Sequence, residues 1–299
     1  MNYFFHLTIY LCIYAIIAMS LNMVVGYSGL LTLAQAGYFA IGSYTYALAT
    51  LKFGWGFLPA LALGVAVASL LSLAVSLPAW RLKGDFFVMA SLAVQALIFG
   101  MANNWSSTEA PFGTWKNLTN GPAGLVSVPK PAIFGIEFAT VGRVALLSLV
   151  VAGVCMVLGW AWLASPWGRV LQVMRDDELA ARGLGKNVRL LKIQVLAVAC
   201  GMSAVGGVIY ASYVGYVDPS LASLDHSILM LCMVIVGGAG NFRGPLVGAF
   251  VLIMIPEALR FVNIPDTVAS EVRLMAYGVL LIAMMHYRAQ GLAGSYRIE

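Results

Sequence analysis

Charged side chains are scarce in this 299-residue sequence, which has 17 lysines and arginines and 12 aspartates and glutamates. They make up 10% of the residues, whereas about a quarter of the residues of a soluble globular domain are charged. Hydrophobic residues account for 61% of the chain and the mean hydropathy is +0.90. This composition excludes an ordinary soluble domain. We attribute the net charge of +5 to membrane topology rather than to nucleic-acid binding.

Patterns for metals, disulfides and nucleotides are also missing. The cysteines lie in apolar stretches without CxxC or Cys/His spacing, so we expect no metal site and no disulfide; they are Cys12, Cys155, Cys200 and Cys232. The stretch GLGKN is not a phosphate-binding loop, because Ala180 and Asn187 replace a required glycine and a required serine or threonine. GGAGNFRG carries Arg243 at the third glycine position of a dinucleotide motif. We expect no catalytic residue and no bound cofactor.

Long apolar stretches are abundant, and about 18 or more such residues can cross a bilayer as a helix. The candidate spans are residues 4–25, 28–51, 57–79, 86–103, 139–164, 192–213, 224–240, 244–262 and 268–287. They predict an all-α fold, a polytopic transmembrane helix bundle of about eight to ten spans forming a single domain over residues 1–299. Span 28–51 contains Gln35 and two glycines and span 224–240 is short, so either can be re-entrant or broken.

Lysine and arginine in short loops favour the cytoplasmic side of a membrane. With alternating spans, one topology places eleven of them inside: Arg81, Lys83, Arg169, Arg175, Arg182, Lys186, Arg189, Lys192, Arg243, Arg288 and Arg297. Six then lie outside: Lys52, Lys116, Lys130, Arg143, Arg260 and Arg273. We therefore predict the amino terminus outside and the carboxyl tail in the cytoplasm. The longest outside loop, residues 103–138, is rich in turn-forming residues, and Trp105 and Trp115 are expected to anchor at the interface.

Residues 169–192, RVLQVMRDDELAARGLGKNVRLLK, concentrate six basic and three acidic residues between apolar stretches. The pattern predicts a helix from Gln172 to Arg182. Leu171, Met174 and Leu179 would form its partial apolar strip. We predict a short amphipathic helix within a cytoplasmic segment, residues 165–191, that Gly183 and Gly185 turn back into the membrane. The alternative is a charged loop that only enforces topology.

This segment resembles the cytoplasmic coupling loop of ABC importer permeases, whose Glu-Ala-Ala and glycine pattern appears here at Glu178, Ala180, Ala181, Gly183 and Gly185. Three more stretches resemble the permeases of the branched-chain amino acid uptake family, which also includes urea and amide importers: LNMVVGYSGLLTLAQAGYFAIGSYTYA (21–47), TNGPAGLVSVP (119–129) and GGVIYASYVGYVDPSLASLDHSILMLCMVIVGGAGNFRGPLVGA (206–249). The loop containing TNGP is similar to the larger of two paired permeases. Many members carry histidine where this chain has Gln35, so no titratable group is assumed there.

The resemblance implies a multi-pass permease subunit of an ABC importer in a bacterial inner (plasma) membrane, carrying branched-chain or other hydrophobic amino acids. It implies a second homologous permease, two ABC ATPase subunits and a periplasmic or extracellular solute-binding protein as partners. ATP and Mg²⁺ would then be bound by the ATPases, and this chain would not be an enzyme. The residues expected to couple to the ATPase are Arg175, Asp176, Asp177, Glu178, Ala181, Gly183 and Gly185.

Polar residues inside apolar spans must find partners within the bundle or along a solute route. We predict that Asn22, Gln35 and Asn241 border the translocation route, with interhelical hydrogen bonding as the alternative. VGGAGNFRGP is expected to unwind a helix and line a cavity. No acidic residue or lysine is expected at mid-span depth, which predicts an uncharged route suited to a zwitterionic or uncharged solute.

Three other functions compete with this one. A urea or short-amide importer permease shares the architecture, and an ATP-independent channel or secondary carrier needs no ATPase. Ion coupling usually requires intramembrane acids, which argues against a carrier but not against a passive channel. An intramembrane enzyme could hold magnesium diphosphate on Asp176, Asp177 and Glu178, but it needs a second acidic cluster, for which only Asp218 and Asp225 are near.

Overall fold

A computed structural model describes residues 2–73, 76, 84–107, 114–133, 136–138, 140–260, 269–287 and 291–293. Within them the helices are α1 (Asn2–Asn22), α2 (Gln35–Phe53), α3 (Phe57–Leu71), α4 (Asp85–Asn104), α5 (Val141–Ala164), α6 (Pro166–Asp176), α7 (Glu178–Gly183), α8 (Val188–Val214), α9 (Leu224–Gly237), α10 (Gly244–Arg260) and α11 (Ala269–Tyr287). A π-helical turn, Met23–Tyr27, continues α1, and single 3-10 turns span Gly121–Ala123 and Pro219–Ala222. The strands are β1 (Leu125–Val126), β2 (Ala132–Ile133), β3 (Ile136–Glu137) and β4 (Tyr216–Val217).

Each of the nine predicted spans contains a helix, so the all-α membrane bundle is confirmed. Four helical stretches are long and apolar enough to cross a membrane by length and composition: Tyr3–Tyr27, Asp85–Asn104, Val141–Ala164 and Val188–Val214. The predicted span 28–51 is helical only from Gln35, and the predicted span 224–240 ends its helix at Gly237. Both spans that the sequence marked as broken are therefore shorter than predicted. The assignment of one domain to residues 1–299 stays a prediction.

The centre of the bundle is formed by α1, α2 and α8. The apolar windows of α1 and α8 are 83% and 67% buried, against 22% for α4 and 33% for α5. Helices α2 and α8 approach closely because small residues face each other. A Cβ atom on Gly207 would lie 2.0 Å from the carbonyl oxygen of Phe39. Close approach of this kind is how helices gain packing energy inside a membrane, where apolar side chains gain nothing by leaving lipid.

The long loop folds over one end of the bundle. Strand β1 pairs antiparallel with β4, with Leu125 opposite Val217. The Val128 amide also donates to the Gly215 carbonyl over 3.1 Å. Inside the loop the rings of Trp105 and Trp115 meet edge to face with centroids 5.2 Å apart. The loop therefore lies at the end of the molecule where α8 ends.

The opposite end holds α6, α7, the π-helical turn after α1 and the described carboxyl-terminal residues. Arg175 in α6 donates to the carbonyl of Gly26 over 2.7 Å. The backbone amides of Leu292 and Ala293 donate hydrogen bonds of 2.9 Å to carbonyls in the last turn of α9. Of the residues used to predict topology, Arg81, Lys83, Arg288 and Arg297 lie outside the described residues, as do parts of the loop 103–138 and the side chains of Arg260 and Arg273.

Candidate coupling surface and translocation route

The charged segment folds as two short helices. Pro166 occupies the first turn of α6, and the Ser165 hydroxyl caps that helix by accepting from the Trp167 amide over 3.2 Å. Helix α6 ends at Asp176, and the backbone of the next residue, Asp177, is extended (φ −151°, ψ 107°). The Asp177 carboxylate then caps α7, accepting from the amides of Leu179 and Ala180 over 2.8 and 3.0 Å. An aspartate in this conformation satisfies amides that the new helix cannot pair.

The predicted continuous helix from Gln172 to Arg182 is therefore wrong at one position. The break at Asp177 rotates the two halves relative to each other. Leu171 and Met174 are buried as predicted, but Leu179 is 70% exposed and does not belong to their apolar strip. Residue type alone did not reveal this break. An aspartate near a helix start can lie within the helix or can cap a new one, and the sequence does not distinguish the two roles.

Glu178 pairs with two basic side chains of its own chain. Its Oε1 lies 2.5 Å from Arg182 one turn later, and its Oε2 lies 3.1 Å from the ammonium of Lys192 in α8. The Lys192 side chain is only 5% exposed. A buried ammonium is stable only when a negative charge accompanies it, so Glu178 ties α7 to the start of α8.

Arg175 faces the bundle rather than the surface. Besides its bond to the Gly26 carbonyl, its guanidinium pairs with Asp176 over 2.9 Å. The Arg175 side chain is 11% exposed and the Asp176 side chain is 60% exposed. The arginine thus attaches α6 to the π-helical turn that ends the first span, and the aspartate remains at the surface.

The end of α7 presents apolar side chains to solvent. Ala181 is fully buried, while Leu179 and Leu184 are 70% and 71% exposed. Gly185 adopts a left-handed conformation (φ 73°) that favours glycine, and it turns the chain towards α8. Gly183 is the last helical residue, and a Cβ atom there would meet nothing within 4 Å. We name the surface formed by Asp176, Leu179, Arg182 and Leu184 the coupling surface.

Asn22 joins the first span to the break between α9 and α10. Its Oδ1 accepts from the Gly240 amide and its Nδ2 donates to the Asn241 carbonyl, both over 3.0 Å. The side chain of Asn241 in turn donates to the carbonyl of Ala293 over 2.7 Å. VGGAGNFRGP is non-helical between Gly237 and Gly244, as the sequence predicts. The predicted role of Asn22 and Asn241 in bordering a solute route stays a prediction.

Gln35 begins α2 and is buried among three helices. Its Nε2 donates to the Ser20 hydroxyl over 2.6 Å, and its backbone carbonyl accepts from Ser203 over 3.3 Å. The bonds of Gln35 therefore connect α2 to both of the other central helices. Its role in the route also stays a prediction.

Gln95 is a polar residue that the sequence analysis did not single out. It is the eleventh of twenty residues in α4 and is buried. Its Oε1 accepts from the Gly37 amide over 2.8 Å, and its Nε2 donates to the carbonyls of Ala222 and Ser223 over 2.5 and 3.2 Å. The sequence did contain a signal for it, because Gln95, with Ser91 one turn earlier, interrupts an otherwise apolar span. Gln95 joins the starts of α2 and α9 near the middle of α4.

This contact brings an acidic residue close to the middle of α4, whereas the sequence analysis expected none at mid-span depth. Asp225 stands in the first turn of α9 and is exposed. Ser223, two residues earlier, is bonded to Gln95 at the midpoint of α4. Because α9 has 14 residues, it is about 21 Å long, which is shorter than a hydrocarbon core of about 30 Å. The sequence placed Asp225 at a span end because helix length was not known.

A bundle of apolar helices, broken at mid-depth and carrying a folded polar segment at one end, defines a polytopic membrane permease. A family model described as "Branched-chain amino acid transport system / permease component" matches residues 3–285. The chain belongs to that family, and it is a permease subunit of an ABC importer.

Named relatives agree with this assignment. The chain is 29% identical to the "High-affinity branched-chain amino acid transport system permease protein LivM" of Escherichia coli (strain K12), covering 94% of this chain and 67% of that protein. It is 25% identical to the "Probable branched-chain amino acid transport permease protein LivM" of Methanocaldococcus jannaschii, covering 94% and 90%. The "Autoinducer 2 import system permease protein LsrC" of Salmonella typhi is 26% identical and matches 65% of this chain and 53% of its own.

One solved structure covers most of the chain. It is described as "PsaBC from Streptococcus pneumoniae in complex with Fab", is 13% identical, and superposes with a TM-score of 0.48 over 93% of this chain and 89% of that one.

Proposed function

We propose that this chain imports branched-chain amino acids and is driven through the coupling surface by a separate ATPase. The observation that carries the proposal is the pair of leucines, Leu179 and Leu184, exposed on a charged two-helix segment that is fixed to the bundle. Exposed leucines beside Asp176 and Arg182 fit a protein partner better than water, because contiguous apolar surface marks interaction sites.

The proposed assembly contains a second homologous permease, two ABC ATPase subunits and an extracytoplasmic solute-binding protein. ATP and Mg²⁺ are bound and ATP is hydrolysed by the ATPase subunits, while this chain supplies the membrane path and is not itself an enzyme. Family membership supports association with other components of an ABC system. We assign the solute from the relatives that match 94% of this chain, whose names refer to branched-chain amino acids. The relatives named for autoinducer 2 match only 65% of it.

The proposed mechanism passes movement along hydrogen bonds. A partner that displaces α6 also pulls on the Gly26 carbonyl through Arg175. Gly26 lies four residues after Asn22, whose side chain holds the Gly240 amide between α9 and α10. Displacement of the coupling surface thereby changes the position of α9, which begins at mid-depth. A non-helical break inside a membrane is where transporters commonly rearrange their path.

In the proposed topology the coupling surface and the carboxyl tail are cytoplasmic, and the amino terminus and the loop 103–138 face the outside of the inner membrane. Arg175 contacts Gly26, and Ala293 contacts the end of α9. These contacts support placing the coupling surface and the carboxyl tail on the same side of the membrane. The pairing of β1 with β4 supports the opposite side for the loop.

The coupling surface is tested with Leu179→Glu and Leu184→Glu in the assembled complex. Both side chains are about 70% exposed, so we expect normal membrane insertion with loss of ATPase co-purification and of amino acid uptake. Val126→Glu, 62% exposed in β1 at the other end, is the control and keeps the ATPase. Unchanged ATPase binding and uptake in both leucine variants would contradict the proposal and favour an ATP-independent channel or carrier.

A further inference from the structure

Two small cavities are lined by consecutive residues at the start of α9. One, of about 330 Å³, lies against α4 and is walled by Leu92, Ala96, Phe99 and Leu224, with the backbone of Ala222 and Ser223 at its edge. The other, also of about 330 Å³, is lined by Asp225, Ile228 and Tyr277 among others. Volumes of this size lie at the lower end of the range for small-molecule sites, about 300–1,000 Å³. Leu224 thus lines the apolar cavity, and the next residue, Asp225, contributes a carboxylate to the other cavity.

The depth of these cavities is fixed by Gln95. Its side chain, at the midpoint of α4, donates to the carbonyls of Ala222 and Ser223. Backbone that is not α-helical is stable at this depth only when it is buried in protein or lines a water-filled cavity. The segment from Pro219 to Ser223 meets that condition through Gln95 and through the apolar cavity that Ala222 and Ser223 line.

The charge at this depth needs an explanation. Asp225 is exposed, and within the described part of the chain no side chain forms a hydrogen bond or ion pair with its carboxylate. The only other titratable group on the first turn of α9 is His226, whose Nδ1 lies 3.0 Å from the Ser223 hydroxyl. A carboxylate directed into lipid at mid-depth is strongly unfavourable, so such residues face water, a partner or a ligand.

We propose that the start of α9 is a solute contact site in the translocation route. The Asp225 carboxylate binds the ammonium group of a zwitterionic amino acid, and the aliphatic side chain of that amino acid occupies the cavity between Leu224, Ala96 and Phe99. This inference rests on the proposed function, because it specifies which part of the permease meets the imported amino acid. An ammonium group and an aliphatic side chain on neighbouring carbons of one solute match a carboxylate and an apolar cavity at adjacent positions.

The carboxylate is tested by Asp225→Asn in proteoliposomes that hold the complete importer and its binding protein, with radiolabelled L-leucine as the probe. Because a charge-assisted bond is lost, we expect leucine uptake to fall by roughly tenfold or more. Stimulation of ATP hydrolysis by the binding protein should persist. Asp218→Asn is the matched control, since that half-buried carboxylate accepts from the Ser220 hydroxyl and lines neither cavity. Asp225→Glu should restore part of the uptake.

The pocket is tested by Ala96→Phe, which fills the apolar cavity, against Ala93→Phe, which adds the same ring on α4 one turn earlier outside the cavity. Only the first should lower leucine uptake. Equal uptake by both phenylalanine variants would overturn the site and assign the cavity to lipid. Loss of the second permease from the Asp225→Asn complex would also overturn it, because the carboxylate would then hold a subunit interface. Absence of leucine uptake by the unaltered importer would contradict the proposed function instead.

Discussion

At the scale of single residues, the polar side chains are mainly used to connect helices. Lys192 is buried with Glu178, Gln35 bonds two helices, and Asn22 bonds the break after α9. Each of these bonds joins two different elements of the fold. The sequence could therefore identify Asn22 and Gln35 as unusual residues in apolar spans, but it could not identify their partners.

Glu178→Gln should destabilise the folded protein strongly. The Lys192 ammonium, 5% exposed, would lose its acidic partner, and leaving a buried charge unpaired costs about 3–5 kcal/mol. The comparison is Asp176→Asn, at a side chain 60% exposed, where the expected cost is about 1 kcal/mol or less. Thermal unfolding in detergent, followed by tryptophan fluorescence, measures both.

A second substitution separates charge from packing in the same experiment. Adding Lys192→Met to Glu178→Gln removes the unpaired ammonium and should recover most of the lost stability. If the double variant is less stable than Glu178→Gln alone, the pair does not contribute through its charges and the explanation given for Glu178 is wrong.

At the scale of elements, the helices follow from apolar length, but their breaks follow from local contacts. The nine spans were predictable because each is an apolar stretch bounded by polar or turn-forming residues. The break at Asp177 and the start of α9 at mid-depth were not, because they depend on a cap and on the bond from Gln95. Gly185, in contrast, was predicted as a turn from residue type alone, since its φ of 73° favours glycine.

Gly207→Ala should weaken the packing of α8 against α2. The new methyl group would lie 2.0 Å from the Phe39 carbonyl oxygen, and overpacking of this kind costs about 1–3 kcal/mol. Gly153→Ala in α5 is the control, because a Cβ atom there meets nothing within 4 Å. That variant should be neutral or slightly stabilising through helix propensity. Detergent-solubilised Tm values measure the difference, and equal Tm values for the two variants would contradict it.

At the scale of the whole molecule, the structure has two distinct ends. The coupling surface, the π-helical turn and the described carboxyl-terminal residues are at one end, and the paired strands β1 and β4 are at the other. Counts of lysine and arginine predicted that the charged segment and the carboxyl tail lie on the same side of the membrane. The contacts place the described parts of both at the same end of the molecule. The proposed solute contact could not be derived from such counts, because it rests on the position at which α9 begins.

Labelling from each side of the membrane tests the orientation. The four native cysteines are buried, so background reaction should be low. A cysteine introduced by Trp115→Cys, at a position 76% exposed in the loop, should react with a membrane-impermeant maleimide in intact spheroplasts. Leu184→Cys should react only after the membrane is opened. The reverse pattern would invert the proposed topology and place the coupling surface away from any cytoplasmic ATPase.

The connection from α6 to the break after α9 has a consequence for comparing relatives. Every bond in it ends on a main-chain atom: Arg175 on the Gly26 carbonyl, Asn22 on the Gly240 amide and the Asn241 carbonyl, and Asn241 on the Ala293 carbonyl. Correlated substitution arises when two side chains must match each other. An amide or carbonyl is present whatever residue evolves around it. We therefore expect alignments of this family to show little co-variation among these residues, even if the connection transmits movement as proposed.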